Sequence, residues 1–183
     1  MLAWHVRRAQ DARLPSTGRP CALKGDFDAS SRDHQRTEQQ LLRNQEQRVY
    51  GNQTYADLIG ELKGYGACLG FEVHAFQDNG EGGLIDHLQK LYLEAEKTGK
   101  KIPVVLNPGA FTHYSYALMD ALESVHTLVP AVEVHMSNIQ DRDSFRHISV
   151  TAPECLGQIA GFGKASYKLA MHEFKLMDEA GEL

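Results

Sequence analysis

The chain has 183 residues, 42% apolar and 23% charged, with a net charge of −5 and a pI near 6.0. That length fits one globular domain able to bury about two thirds of its unfolded surface, and the acidic balance speaks against a nucleic-acid partner held on a broad basic face. No apolar run approaches the ~18 residues of a membrane span and no secretory h-region is present, so no membrane partner and a cytoplasmic location are expected.

Residues 1 to 50 hold nine Lys/Arg against six Asp/Glu, a net of +3, whereas residues 51 to 183 hold ten against eighteen, a net of −8. Before Tyr50 the apolar residues are scattered, and only Met1-Leu-Ala-Trp4 could begin a buried strand. Residues 1–40 are therefore expected to form an atypical, disordered or loosely packed segment ahead of a domain spanning 41–183.

From there the pattern alternates. Thr54 to Leu69 has helical apolar spacing, with Thr54 as N-cap and Gly70 beyond the C-terminus. Phe71 to Phe76 alternates like a strand, and Glu81 to Thr98 places Leu84, Ile85, Leu88, Leu91 and Leu93 near one helical face before Gly99. Ile102 to Leu106 and Val129 to Val134 are short continuous apolar runs, the signature of strands buried on both faces. A helix is expected over Thr112 to Ser124, a glycine-rich strand over Gly157 to Phe162 and a last helix over Lys164 to Met177. This βαβα alternation implies a doubly wound parallel sheet with helices on both faces. Only four strands are legible, and the first of such a sheet is degraded or missing before Tyr50.

Polar residues collect where two buried strands stop. Asn107-Pro-Gly-Ala-Phe-Thr-His113 follows one, and Glu133-Val-His135-Met-Ser137-Asn138 ends the other. Carboxyl ends of strands are where open α/β sheets bind ligands, so both clusters are expected to line one crevice. Glu133 and His135 lie two apart in a strand and share a face, so the carboxylate can orient the imidazole. Arg146 offers a planar fork suited to a carboxylate. Cys21, Cys68 and Cys155 are odd in number and lack CxxC spacing, which argues against a disulfide framework. No His or Cys cluster has metal spacing and no lysine has a Schiff-base context, so neither metal nor cofactor is expected. Gly161-Phe-Gly163 is a fragment of a glycine fingerprint, but too few residues follow it for a βαβ unit.

Taken together, Tyr50-Gly51, the segment from Gln77 to Asp86, Asn107 to His113, Glu133 to Asn138, Phe145-Arg146-His147 and Gly161-Phe-Gly163 resemble the type II 3-dehydroquinate dehydratases in order and near-spacing. The resemblance implies a flavodoxin-like fold and an anti elimination of water from 3-dehydroquinate to 3-dehydroshikimate through an enolate. It implies Tyr50 as base, and His135, oriented by Glu133, as the acid for the departing hydroxyl. It also implies a substrate grip from Asn107, His113, Met136, Ser137, Arg142 and Arg146. Asp120 would reach a neighbouring subunit, in a trimer or a dodecamer of four trimers.

The match fails upstream. The family opens with a buried strand running into an Asn-rich loop; here the asparagine's position is Glu38, and the arginine five residues before the tyrosine is Gln45. That arginine is the charge expected to favour a phenolate, and a glutamine cannot supply it. A glutamate near a developing enolate would also oppose it. Two readings follow: an active dehydratase, or an impaired homologue that keeps the fold and oligomer, with residues before about 45 either diverged or not the native reading. Lower stability than an intact family member is expected in either case.

Overall fold

A computed structural model describes residues 1–9 and 54–183; Tyr50, Glu38, Gln45 and Cys21 lie outside the described residues. Five strands form one sheet in the order β2-β1-β3-β4-β5. They are β1 (Leu2–Arg8), β2 (Phe71–Gln77), β3 (Val104–Asn107), β4 (Ala131–His135) and β5 (Gly157–Ala160). This is the flavodoxin strand order. Helices α1 (Tyr55–Cys68) and α4 (Ala165–Ala180) cover one face, and α2 (Glu81–Thr98) and α3 (Tyr116–Val125) the other.

The expected helices form where capping chemistry predicts. Thr54 and Asp57 make a reciprocal capping box at the start of α1, and Gly99, at φ 66°, ends α2 in the left-handed region. Two boundaries differ. Residues Gly109–His113 form a 3₁₀ turn, and α3 begins only at Tyr116 behind an N-cap hydroxyl from Ser115. On α2 the buried face is Leu84, Leu88, Leu91 and Ala95, while Leu93 is 53% exposed, because helical spacing puts Ala95 rather than Leu93 under Leu91.

The slot that lacked a strand in the sequence is filled from the far N-terminus. β1 lies between β2 and β3 and runs antiparallel to both, pairing Leu2 with Gln77 and Asn107, and Arg8 with Phe71. The sheet is therefore mixed rather than all-parallel, and residues 2–8 are not loosely packed. Leu2, Trp4 and Val6 face the α1 and α4 side, while Ala3 faces α2 and α3, so the strand's period of two serves both cores. Trp4 is fully buried and meets Tyr167 edge-on at 6.2 Å.

That seating is incompletely satisfied. Trp4 Nε1, His5 Nδ1, Arg7 Nε and His87 Nε2 are buried without a hydrogen-bond partner among the described residues. Antiparallel pairing also puts Met1 at the carboxyl ends of β2 and β3. There its ammonium donates to the Asp78 carbonyl at 3.0 Å, and its side chain lies against Gly109. Cys155 keeps a free thiol, as expected, whereas Cys68 is disulfide-bonded, against the expectation. Among the described residues no helix is long and apolar enough to cross a membrane.

Candidate active site

β3 and β4 pair in parallel with Leu106 opposite Glu133, so Asn107 and His135 emerge on adjacent strand ends. Both clusters singled out in the sequence thus meet at one edge of the sheet. Asn107 is half-buried, and its Nδ2 donates to the Tyr167 phenol at 2.7 Å while its Oδ1 accepts the Gly109 N–H at 3.1 Å.

Glu133 is the electrostatic centre. It has no exposed surface, and His135 Nε2 lies 2.7 Å from its Oε1. A carboxylate can only accept, so Nε2 carries the hydrogen and the second ring nitrogen, Nδ1, remains for a ligand. Gln158 Nε2 and Thr112 Oγ1 also reach Oε1 at 2.7 Å, Thr151 donates to Oε2, and Ser149 Oγ lies 3.1 Å from Oε1. Burial alone would raise the carboxyl's pKa. Hydrogen bonds from His135, Thr151, Thr112 and Gln158 outweigh it and hold the group at about 2, below its ordinary 4.5.

The remaining sequence-derived residues fall around this pair in varying degrees. His113 Nδ1 donates to the Ile148 carbonyl at 2.8 Å, which leaves its Nε2 outward. Met136 is buried, with its carbonyl accepting the Gly163 N–H, and Ser137 follows half-buried at the end of β4. Gly161, at φ 94°, packs so closely on Asn138 that a Cβ would come within 3.2 Å of it, which keeps this loop against the end of β4. Arg146 sits half-buried in the 3₁₀ turn Ser144–Arg146, its guanidinium 4.9 Å over the Phe145 ring.

Arg142 and Asp120 are exposed, and neither side chain bonds to a site residue among the described residues. Tyr50 lies outside the described residues, but Thr54, four residues later, opens α1 at the same edge of the sheet. Cys155 offers no nucleophile, since burial and the nearby Glu133 charge push its thiol pKa well up. No group of side chains among the described residues is arranged to hold a metal ion.

Sequence reasoning missed Thr112, Ser149, Thr151, Gln158 and Tyr167. A glutamate inside an apolar strand run was the available signal, because a buried carboxylate requires donors from elsewhere.

The family model described as dehydroquinase class II matches residues 37–175. The chain belongs to that family. A Bacillus cereus 3-dehydroquinate dehydratase is 49% identical over 134 residues, covering 73% of this chain and 85% of the relative. One from Caldicellulosiruptor bescii is 45% identical over 135 residues, covering 74% and 88%. The type II dehydroquinase structure from Butyrivibrio crossotus superposes with a TM-score of 0.63 at 44% identity, over 71% of this chain and 86% of that one. The type II dehydroquinase structure from Propionibacterium acnes gives 0.64 at 36% identity, over 73% and 86%.

Proposed function

We propose that this dehydroquinase-family chain is a hydro-lyase that removes water from 3-dehydroquinate to give 3-dehydroshikimate. The reading is carried by the Glu133–His135 pair, buried at the strand edge beside Asn107 in a chain whose relatives bear that enzyme's name. A base takes the proton α to the ketone, the electron pair enters an enolate, and the β-hydroxyl leaves as water when an acid protonates it. His135 is the acid, presenting Nδ1 while Glu133 fixes the ring. Tyr50 is the base.

Asn107, His113 and the backbone at Met136-Ser137 grip substrate hydroxyls, and Arg146, with Arg142 behind it, takes the carboxylate. The elimination uses no metal or organic cofactor. Asp120, exposed on α3, completes the site of a neighbouring copy in a trimer or dodecamer working in the cytoplasm.

A second reading, an impaired homologue, is favoured by β1. The family resemblance calls for a first strand leading into the catalytic loop, yet an antiparallel strand holds the slot between β2 and β3 and places Met1 at the site edge. Following the conjugated-enone absorbance of the product distinguishes the two. Turnover by the chain as it stands supports the active enzyme. Turnover appearing only in Glu38→Asn with Gln45→Arg locates the defect in the loop, and substrate binding without turnover in either supports the impaired homologue. Borohydride added with substrate should leave any activity intact, since no lysine forms an imine.

A further inference from the structure

Glu133 carries four donors besides His135, and they come from three separate parts of the chain. Thr112 belongs to the turn after β3, Ser149 and Thr151 to the loop before β5, and Gln158 to β5 itself. The hydroxyl oxygens also lie together, Thr112 Oγ1 being 2.7 Å from Ser149 Oγ and 3.2 Å from Thr151 Oγ1, and each has a single hydrogen to give either to Glu133 or to a neighbour. Backbone bonds fix the loop, from Ala152 N–H to Ser149 Oγ at 2.9 Å and from Val150 N–H to the Thr112 carbonyl at 2.7 Å. So many donors on one fully buried carboxylate exceed what orienting a single imidazole requires.

Their effect is competitive. Each hydrogen bond that spreads the negative charge of Glu133 weakens the pull of that charge on a proton held by His135. We propose that Thr112, Ser149, Thr151 and Gln158 are positioning residues that act through Glu133 to set how firmly His135 holds its proton. Together with His135 the cage keeps Glu133 ionised, and its donors remain on the carboxylate while His135 releases and regains its proton.

The other titratable or charged side chains placed around the pair are His113 and Arg146. β3 and β5 carry no charged residue, and α4 places Ser166 on the His135 carbonyl and Tyr167 on Asn107. Cys155, beside Glu133, stays a protonated thiol.

The consequence for the reaction rests on His135 being the acid, as proposed above; the consequence for its titration does not. Nuclear magnetic resonance of the intact chain with labelled histidine reads that titration, the His135 signal being identified by its absence in His135→Gln. In Thr151→Val the midpoint is expected to rise by about one pH unit, and in Thr151→Ser to return close to the starting value. Gln158→Ala, on the exposed edge strand, should raise it in the same direction even if the threonine variant folds poorly.

Midpoints unmoved or lowered in both Thr151→Val and Gln158→Ala would overturn the proposal. In an active chain the alkaline limb of kcat should follow the midpoint upward. A midpoint that rises while the rate profile stays fixed supports the cage and removes His135 from the proposed chemistry, whereas an active chain with unmoved midpoints removes the cage alone.

Discussion

The Nδ2 amide of Asn107 donates a 2.7 Å hydrogen bond to the phenol of Tyr167, sixty residues further along the chain. Gly109 N–H fixes the other end of the same side chain through Oδ1, so the amide cannot be flipped without losing a partner. Tyr167 is itself fully buried against Trp4, which ties the end of β3 to α4 and to β1. One Nδ2 hydrogen of Asn107 is not used by Tyr167. Tyr167→Phe should cost about 1 kcal/mol of stability in a urea titration. If Asn107 grips substrate, KM should rise severalfold with a smaller change in kcat; an unchanged KM would detach Asn107 from binding.

Glu133→Gln keeps the shape of the side chain and exchanges an acceptor for an amide whose hydrogens face existing donors. At a buried position surrounded by Thr112, Thr151, Gln158 and His135 this leaves donors opposed. A loss of about 2–4 kcal/mol is expected by chemical denaturation. If His135 is the acid that Glu133 orients, turnover should fall by about 10²–10⁴-fold. A variant of normal stability and normal kcat would show that the carboxylate is dispensable.

The parts of this fold legible in the sequence were those with local causes. β3 and β4 read as unbroken apolar runs because both faces of each are covered, and Thr54 and Gly99 marked helix ends through chemistry confined to a few residues. Glu133 and His135 were legible for the same reason, sharing a face at a spacing of two.

β1 was not, since Leu-Ala-Trp-His-Val-Arg-Arg mixes charge into the run and its partners lie 63 to 105 residues away, from Arg8↔Phe71 to Leu2↔Asn107. Pairing across such distances follows from the vacancy between β2 and β3, which no local window contains. The hydroxyl cage was hidden likewise: Thr112, Ser149 and Thr151 look like ordinary loop residues until the sheet brings them to one carboxylate.

Acid should weaken the fold in two stages. Burial first, then the charges of Arg7, His74, His87 and Lys90, lower His5 to about 3 from 6.5, so it stays neutral when folded. The unfolded chain takes up that proton from about pH 6.5 downward, so stability is full above 6.5 and declines as pH falls toward 3. Glu133, held at about 2 against 4.5, adds a lower window: its contribution is full above 4.5 and is lost between 4.5 and 2. Thermal melts between about pH 7.5 and 5 isolate the first stage, and His5→Leu should flatten that decline. An equally steep decline in the variant would place its origin elsewhere.

Trp4 is the only tryptophan, so its emission reports on β1 alone. Seated as described, with no exposed surface, the indole should emit at short wavelength and resist aqueous quenchers. Trp4→Ala should cost about 3–5 kcal/mol, because it empties a buried site on an inner strand of the sheet lined by Tyr167 and Val6. The unsatisfied Trp4 Nε1, His5 Nδ1 and Arg7 Nε oppose that burial, and an edge of β1 freed from β2 or β3 could regain water at each of them. β1 is therefore expected to detach before the rest of the sheet. In a urea titration the red shift of Trp4 should precede the loss of far-ultraviolet ellipticity. Coincident transitions would show that β1 unfolds with the sheet, and quencher-accessible red emission in buffer would show that it does not occupy the slot between β2 and β3.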